Sequence, residues 1–326
     1  MDPQEARNVI EAVDLHKSYG EVPAVVGIDL QVTAGEVVAV LGPNGAGKTT
    51  TLELLLGLRS PSAGRVTVFG LPPHHVAVRG RVGAMLQDTA APESLTVTEM
   101  VDLVGHYYPH ALPTADVVAR ADLLVHASKR VTQLSGGQRQ RLSFAVAIVG
   151  DPDLLFLDEP TAALDVHARQ AFWEQAREFA RLGKTLLFST HNLAEADLAA
   201  ERVILINHGR IVHDDTPARI KSLIPGKTIE LLTDATTDQL ETVKGVQQVA
   251  TLHDREAPGI RESSRPGLHR LRLQVAEPEP VLRAVFAAGH RVEDLTVTEA
   301  SLEQAFLHLT GDQGDPATTA PRTRRH

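Results

Sequence analysis

Gly42-Pro43-Asn44-Gly45-Ala46-Gly47-Lys48-Thr49-Thr50 meets every fixed position of the pattern G-x-x-x-x-G-K-[ST], and its two flanks are of different kinds. Upstream, Glu36-Val37-Val38-Ala39-Val40-Leu41 is short, β-branched and apolar, as a fully buried strand is. Downstream, Thr49 to Leu58 carries Leu52, Leu55, Leu56 and Leu58 at roughly helical spacing. Strand, glycine-rich turn and helix form the context in which such a loop binds phosphate. Glycines let successive N–H groups turn inward around an anion, and the helix adds unpaired N–H donors and the positive end of its dipole. Lys48 is then expected to reach the outer phosphates, and the Thr49 hydroxyl to face Mg²⁺. The competing reading is a turn that only joins a strand to a helix.

A phosphate loop that hydrolyses its nucleotide needs oxygen ligands for Mg²⁺ and a group that orients water. Leu154-Leu155-Phe156-Leu157-Asp158-Glu159 supplies both, as an apolar strand ending in adjacent carboxylates. Asp158 is assigned to Mg²⁺ and Glu159 to the water, as general base. A strand-end pair that merely faces solvent is the alternative. Leu134-Ser135-Gly136-Gly137-Gln138 also places small residues before a helix, Arg139 to Val149, and so offers a second anion cradle. One nucleotide does not need two cradles, so the second is expected to close on the nucleotide of another subunit.

The chain has 326 residues, enough for two domains and a large core. Its net charge of −9 argues against a surface built to bind nucleic acid, and no nucleic-acid partner is expected. Without cysteine it has neither disulfides nor thiolate metal sites. The start Met1-Asp2-Pro3-Gln4-Glu5 lacks the pattern of a secretory leader, and no window approaches the roughly 18 apolar residues of a membrane span.

Strand patterns at 9–13, 28–32 and 65–69 predict a small antiparallel sheet. Helical runs at 98–108 and 115–124 predict an inserted helical subdomain over about 88–150. Strands at 154–157, 185–189 and 202–206, alternating with a helix at 166–182, predict a parallel core sheet covered on both faces. After residue 225 a compact α+β module of ferredoxin-like character is expected, with strands at 228–232, 247–252, 268–275 and 290–297 and helices at 237–244, 280–288 and 301–309. The boundaries read from the sequence are 1–224, 225–311 and a disordered tail, 312–326. The tail's Arg322-Thr323-Arg324-Arg325-His326 either touches anionic lipid or is simply solvated.

From about Val9 to Arg219 the sequence resembles the ATP-binding cassette (ABC) ATPases. Leu134 to Gln138 matches that family's signature without substitution, and the order phosphate loop, glutamine loop, signature, acidic strand, lone histidine is matched throughout. The resemblance implies a P-loop NTPase fold that binds ATP with Mg²⁺ and hydrolyses it. By resemblance, Tyr19 stacks on adenine, Gln87 links Mg²⁺ and the water site to the helical subdomain, and His191 contacts the γ-phosphate. Tyr19 as a turn aromatic and His191 as a strand-end histidine are the plainer readings. Asp165 falls in the family's dimer-contact loop, where Ala163 and Val166 depart from the common pattern. The ending Thr298 to Gly311 looks like that of bacterial drug- and polyketide-efflux cassettes of the daunorubicin-resistance type, whose permease is a separate chain.

The implied partners are a second copy of this chain and an integral membrane permease, and the implied location is the cytoplasmic face of the cell membrane. The rival reading within the family is an ATPase acting on ribosomes or DNA. A P-loop kinase or GTPase would leave Leu134 to Gln138 without a role. The C-terminal module could dimerise, regulate or only stabilise.

Overall fold

A computed structural model describes residues 8–86, 92–162, 164–223, 226–252 and 267–299, together with Leu302, Phe306 and Leu309. The chain divides into two compact units, Met1–Pro217 and Ala218–His326. In the first, the elements run β1 (Asn8–Tyr19), β2 (Val22–Thr33), β3 (Val37–Leu41), α1 (Lys48–Leu55), β4 (Ala63–Val68), α2 (Val76–Arg79), β5 (Val82–Met85), α3 (Val97–Gly105), α4 (Thr114–Arg120) and α5 (Gly136–Ile148). They continue with β6 (Leu154–Asp158), α6 (Val166–Arg181), β7 (Thr185–Thr190), α7 (Leu193–Ala199), β8 (Arg202–Asn207) and β9 (Arg210–Asp215).

Six strands form the central sheet in the order β5-β6-β7-β3-β8-β9, parallel throughout except where β9 returns beside β8. All residues of β3, β6 and β7 are buried, which is why these strands read as continuous apolar runs rather than alternating ones. Each such Val, Leu or Phe removes enough apolar surface from water to stabilise the fold by about 1.5–3 kcal/mol. An aromatic chain, Phe144 to Phe172 to Trp173 to Phe188, with ring centroids 5.1, 5.4 and 4.4 Å apart, packs α5 and α6 onto β7. A second sheet, β2-β1-β4, is antiparallel, as the strand patterns at 9–13, 28–32 and 65–69 predict.

The α/β fold expected from the sequence is the one observed, with two strands added. β5 and β9 occupy the edges of the central sheet; β5 is a four-residue strand interrupted by Gly83, and β9 is mostly polar. In β5, an ideal Cβ on Gly83 would lie 2.0 Å from the Ala147 carbonyl oxygen, so α5 can approach the strand only because that residue is glycine. Helix α4 stops at Arg120, short of the expected 124, because Asp122 adopts φ 53° and leaves the helical region.

In the second unit, α8 (Pro217–Ser222) leads to β10 (Lys227–Thr233), α9 (Thr237–Glu241), β11 (Val246–Thr251), β12 (His269–Val275), α10 (Pro278–Ala287) and β13 (Val292–Glu299). The sheet order β11-β12-β10-β13, antiparallel at every step, with the βαββαβ sequence of elements, is the ferredoxin-like arrangement. Its core joins Ile229, Leu231, Leu271, Leu273 and Val275 of the sheet to Leu240, Val281 and Val285 of the helices. The tail 312–326, most of the loop 255–267 and most of the expected last helix, including its Ser301–Gln304 cap, lie outside the described residues.

Candidate active site

Sheet register collects distant residues at one edge. Leu41 at the end of β3 lies beside Thr190 of β7, and Ser189 of β7 lies beside Asp158 of β6. Gly42, Glu159 and His191 are the next residues on their strands, so they all leave the sheet at its carboxyl edge. Ligands of open α/β sheets bind at that edge.

The glycine loop there is shaped by its own backbone. Gly45 and Gly47 adopt φ 81° and 103°, conformations that a side chain disfavours. An ideal Cβ on Gly42 would lie 2.3 Å from the Ile206 carbonyl oxygen, and one on Gly47 2.3 Å from that of Ala24. The loop is therefore seated directly on β8 and β2. Gly209 N–H donates to the Ala46 carbonyl at 2.9 Å, while the Gly209 carbonyl accepts from Val26 N–H at 2.8 Å, closing the seat. Gly47 caps α1 with no side chain, which leaves the first-turn amides of that helix without a side-chain acceptor. Thr50 lies in the first turn, and the Pro43 carbonyl accepts from Ala46 N–H at 3.1 Å, which folds Asn44 and Gly45 into a turn.

Lys48 folds back over this loop, donating from Nζ to the carbonyls of Gly42 at 2.9 Å and Pro43 at 3.1 Å. The residue is only 6% exposed. Burial lowers its pKa, against the opposing charges of Glu159 and Asp158. A desolvated ammonium beside backbone carbonyls is poised to take a stronger anionic acceptor.

Opposite stand the carboxylates. Asp158 is 1% exposed and accepts from Thr49 Oγ1 at 3.4 Å and from the Ser189 hydroxyl, through the same Oδ1. Glu159 has φ 47°, an uncommon conformation for this residue type and one met often at functional sites. Its N–H donates to Ser189, with the carbonyl oxygen at 3.2 Å and the hydroxyl at 3.1 Å, and its Oε1 lies 3.2 Å from Nδ1 of His191. Among the described residues no group of three or more His, Cys, Asp or Glu could hold a metal by itself. A hydroxyl and a carboxylate 3.4 Å apart fit Mg²⁺ instead, which keeps waters and binds through one or two protein oxygens plus substrate phosphates.

The other residues singled out in the sequence are distributed differently. Tyr19, 43% exposed at the end of β1, has Lys17 Nζ at 5.5 Å and Arg59 Cζ at 5.8 Å from its ring centroid. Ser135 caps α5 in a reciprocal box with Gln138, its hydroxyl accepting from Gln138 N–H at 3.3 Å and its N–H donating to Gln138 Oε1 at 3.0 Å. Gly136 and Gly137 form the first turn of that helix. Among the described residues, no hydrogen bond or ion pair joins 134–138 to 42–50. Asp165 caps α6, accepting from Ala168 N–H at 2.8 Å. Gln87 and Ala163 lie outside the described residues. Sequence reasoning passed over Ser189, Thr190, Thr161 and Glu195, which form the polar bed under Asp158, Glu159 and His191. The only signal for them was a Ser-Thr-His ending to an apolar strand.

A family model described as ABC transporter matches residues 25–162. The daunorubicin resistance ATP-binding protein DrrA2 of Streptomyces coeruleorubidus is 36% identical, over 93% of this chain and 95% of its own length. The chain belongs to the ABC transporter ATP-binding proteins. A Nod factor export ATP-binding protein I of Paraburkholderia xenovorans is 37% identical, over 93% of this chain and 97% of that one. Among solved structures, an ATP-binding cassette captured as a dimer in a post-hydrolysis state, bound to ADP and Pi, is 26% identical with a TM-score of 0.59. That match covers 64% of this chain and 98% of the cassette. This ABC protein is thus an ATP hydrolase, the nucleotide-binding subunit of a transporter. Among the described residues no helix is long and apolar enough to cross a membrane.

Proposed function

We propose that this chain powers a membrane exporter by ATP-driven dimerisation with a second copy of itself. The observation that carries the reading is the separation of two anion cradles within one chain, Gly42 to Thr50 and Ser135 to Gln138, which share no bond. In a two-fold pair each loop faces the partner's Ser135 turn, and two ATP molecules are buried between the copies.

In this reading Lys48 and the loop amides hold the β- and γ-phosphates, and Tyr19 stacks on the adenine. Thr49, Asp158 and Gln87 would hold Mg²⁺, which would supply charge neutralisation at the phosphates. Glu159 takes a proton from the attacking water, held in place by Ser189 and His191. His191 also contacts the γ-phosphate, while Gly136, Gly137 and Gln138 of the partner stabilise the spreading charge. Asp165 acts through the dimer-contact loop whose helix it caps.

Residues 1–224 form the ATP-binding domain, with the helical subdomain at about 88–150, and 225–311 form the C-terminal domain. An apolar groove of about 430 Å³, bounded by Leu55, Leu58, Val82, Val104 and Tyr108, supports docking of a permease segment between the core and the helical part. In this reading the cargo is drug, antibiotic or lipid-like, which relatives named for daunorubicin resistance and Nod factor export support, and the chain works on the cytoplasmic face of the cell membrane.

The test is co-expression with an integral membrane permease that copurifies with it. ATP-dependent efflux and recovery of the chain in the membrane fraction are expected; a pool bound to ribosomes or DNA, with no efflux, overturns the exporter reading.

A further inference from the structure

Glu195 is the third residue of α7 and is 4% exposed. Its carboxylate accepts from Thr161 Oγ1 at 2.5 Å, from Thr190 Oγ1 at 2.9 Å and from Asn192 Nδ2 at 3.3 Å, and Arg169 Nε lies 3.2 Å from Oε1. A charge so buried is costly unless paired, and here three side chains donate hydrogen bonds to it while Arg169 faces it as an ion pair, its Nε making no hydrogen bond.

What these partners share is their place in the chain. Thr161 follows Glu159 by two residues, Thr190 and Asn192 flank His191, and Arg169 also reaches the Leu164 carbonyl at 3.4 Å, beside Asp165. We infer that Glu195 is a positioning residue for hydrolysis: it ties the turn carrying Glu159 to the turn carrying His191, past the point where the sheet ladder fixes either one. The consequence is the 3.2 Å separation between Glu159 Oε1 and His191 Nδ1. Glu159, at φ 47°, holds that conformation only if its surroundings over-determine it, and the Thr161 anchor does so from the C-terminal side. The inference rests on the hydrolytic roles proposed for Glu159 and His191.

The test is steady-state hydrolysis of ATP with Mg²⁺ by the full chain carrying Glu195→Gln or Thr161→Val, each alone and combined with His191→Ala. Thr161→Val is nearly isosteric and leaves the Glu195–Arg169 pair intact, so it remains informative if Glu195→Gln folds poorly. Each single variant is expected to lower kcat about tenfold with KM for ATP unchanged within about twofold, as loss of transition-state positioning does. In the His191→Ala background each costs less than about twofold more, because the element being positioned is already gone. Additive losses in that background, losses in KM equal to those in kcat, or unchanged kcat overturn the inference. Glu159→Gln separates the two layers. If it turns over at the parental rate, the hydrolytic assignment fails and this inference with it; if it stalls while Glu195→Gln and Thr161→Val do not, the Glu195 role alone is rejected.

Discussion

The two glycine turns of the ATP-binding unit look alike in sequence and differ in what they leave available. Before α1, Gly45 and Gly47 take left-handed conformations, Gly47 offers no side-chain cap, and Lys48 is buried above the turn. Before α5, Gly136 and Gly137 are helical, and Ser135 and Gln138 satisfy each other's backbone donors. The first turn has no side-chain acceptor for its helix amides, whereas the second carries its own in Ser135. A turn of the first kind binds phosphate by itself, whereas one of the second kind adds to a phosphate already held, which is the division of labour that a shared dimer site requires.

The contrast can be broken from its strong side first. Lys48→Ala is expected to reduce kcat/KM for ATP by about 10³-fold and to abolish ATP-dependent dimerisation, since the ammonium held over the loop by the Gly42 and Pro43 carbonyls is lost. A coupled-enzyme assay reads this, and undiminished turnover would remove the loop from the reaction. Glu159→Gln should lower kcat by about 10²–10³-fold while ATP is still bound, leaving a dimer that persists on size exclusion in ATP. A monomer under those conditions would argue against the sandwich. Gly47→Ala must put a Cβ 2.3 Å from the Ala24 carbonyl oxygen at φ 103°, and should destabilise the unit by at least about 2 kcal/mol in urea titration.

Effects on the second turn are smaller, and that difference is the point of measuring them. Ser135→Ala removes a cap worth about 1 kcal/mol and should slow hydrolysis about tenfold at low protein concentration, with ATP affinity of the monomer within about twofold. An equal loss of monomer affinity would mean that this turn acts within its own chain. Gly137→Ala adds a Cβ 3.3 Å from Leu164 Cδ2 at a helical position, so its stability should stay within about 1 kcal/mol of the parent. A large loss there would erase the conformational distinction between the two turns.

The parallel core and the phosphate loop were legible because strands buried on both faces cannot alternate, and because a loop that wraps an anion needs glycine at fixed positions. The ferredoxin-like character of the second unit was legible in its succession of strand and helix patterns, while the sheet order came from the structure. Edge strands β5 and β9 were not legible, since β5 is only four residues long with glycine at its centre, where α5 approaches closely, and β9 carries little apolar surface. The polar bed was equally hidden. Nothing local marks Glu195 as buried, for its partners come from four separate positions between Thr161 and Asn192.

By itself, the sequence marked the residues proposed to meet the phosphates and the acid that follows its strand, because those are one-dimensional patterns: a glycine at a required spacing, a carboxylate at the end of an apolar run. Only the tertiary structure decided that Asp158 shares a hydrogen-bond set with Thr49 and Ser189, that His191 stands against Glu159, and that one buried carboxylate holds their two turns. Those contacts are set by strand register and helix packing, which depend on the whole sheet rather than on any stretch of it.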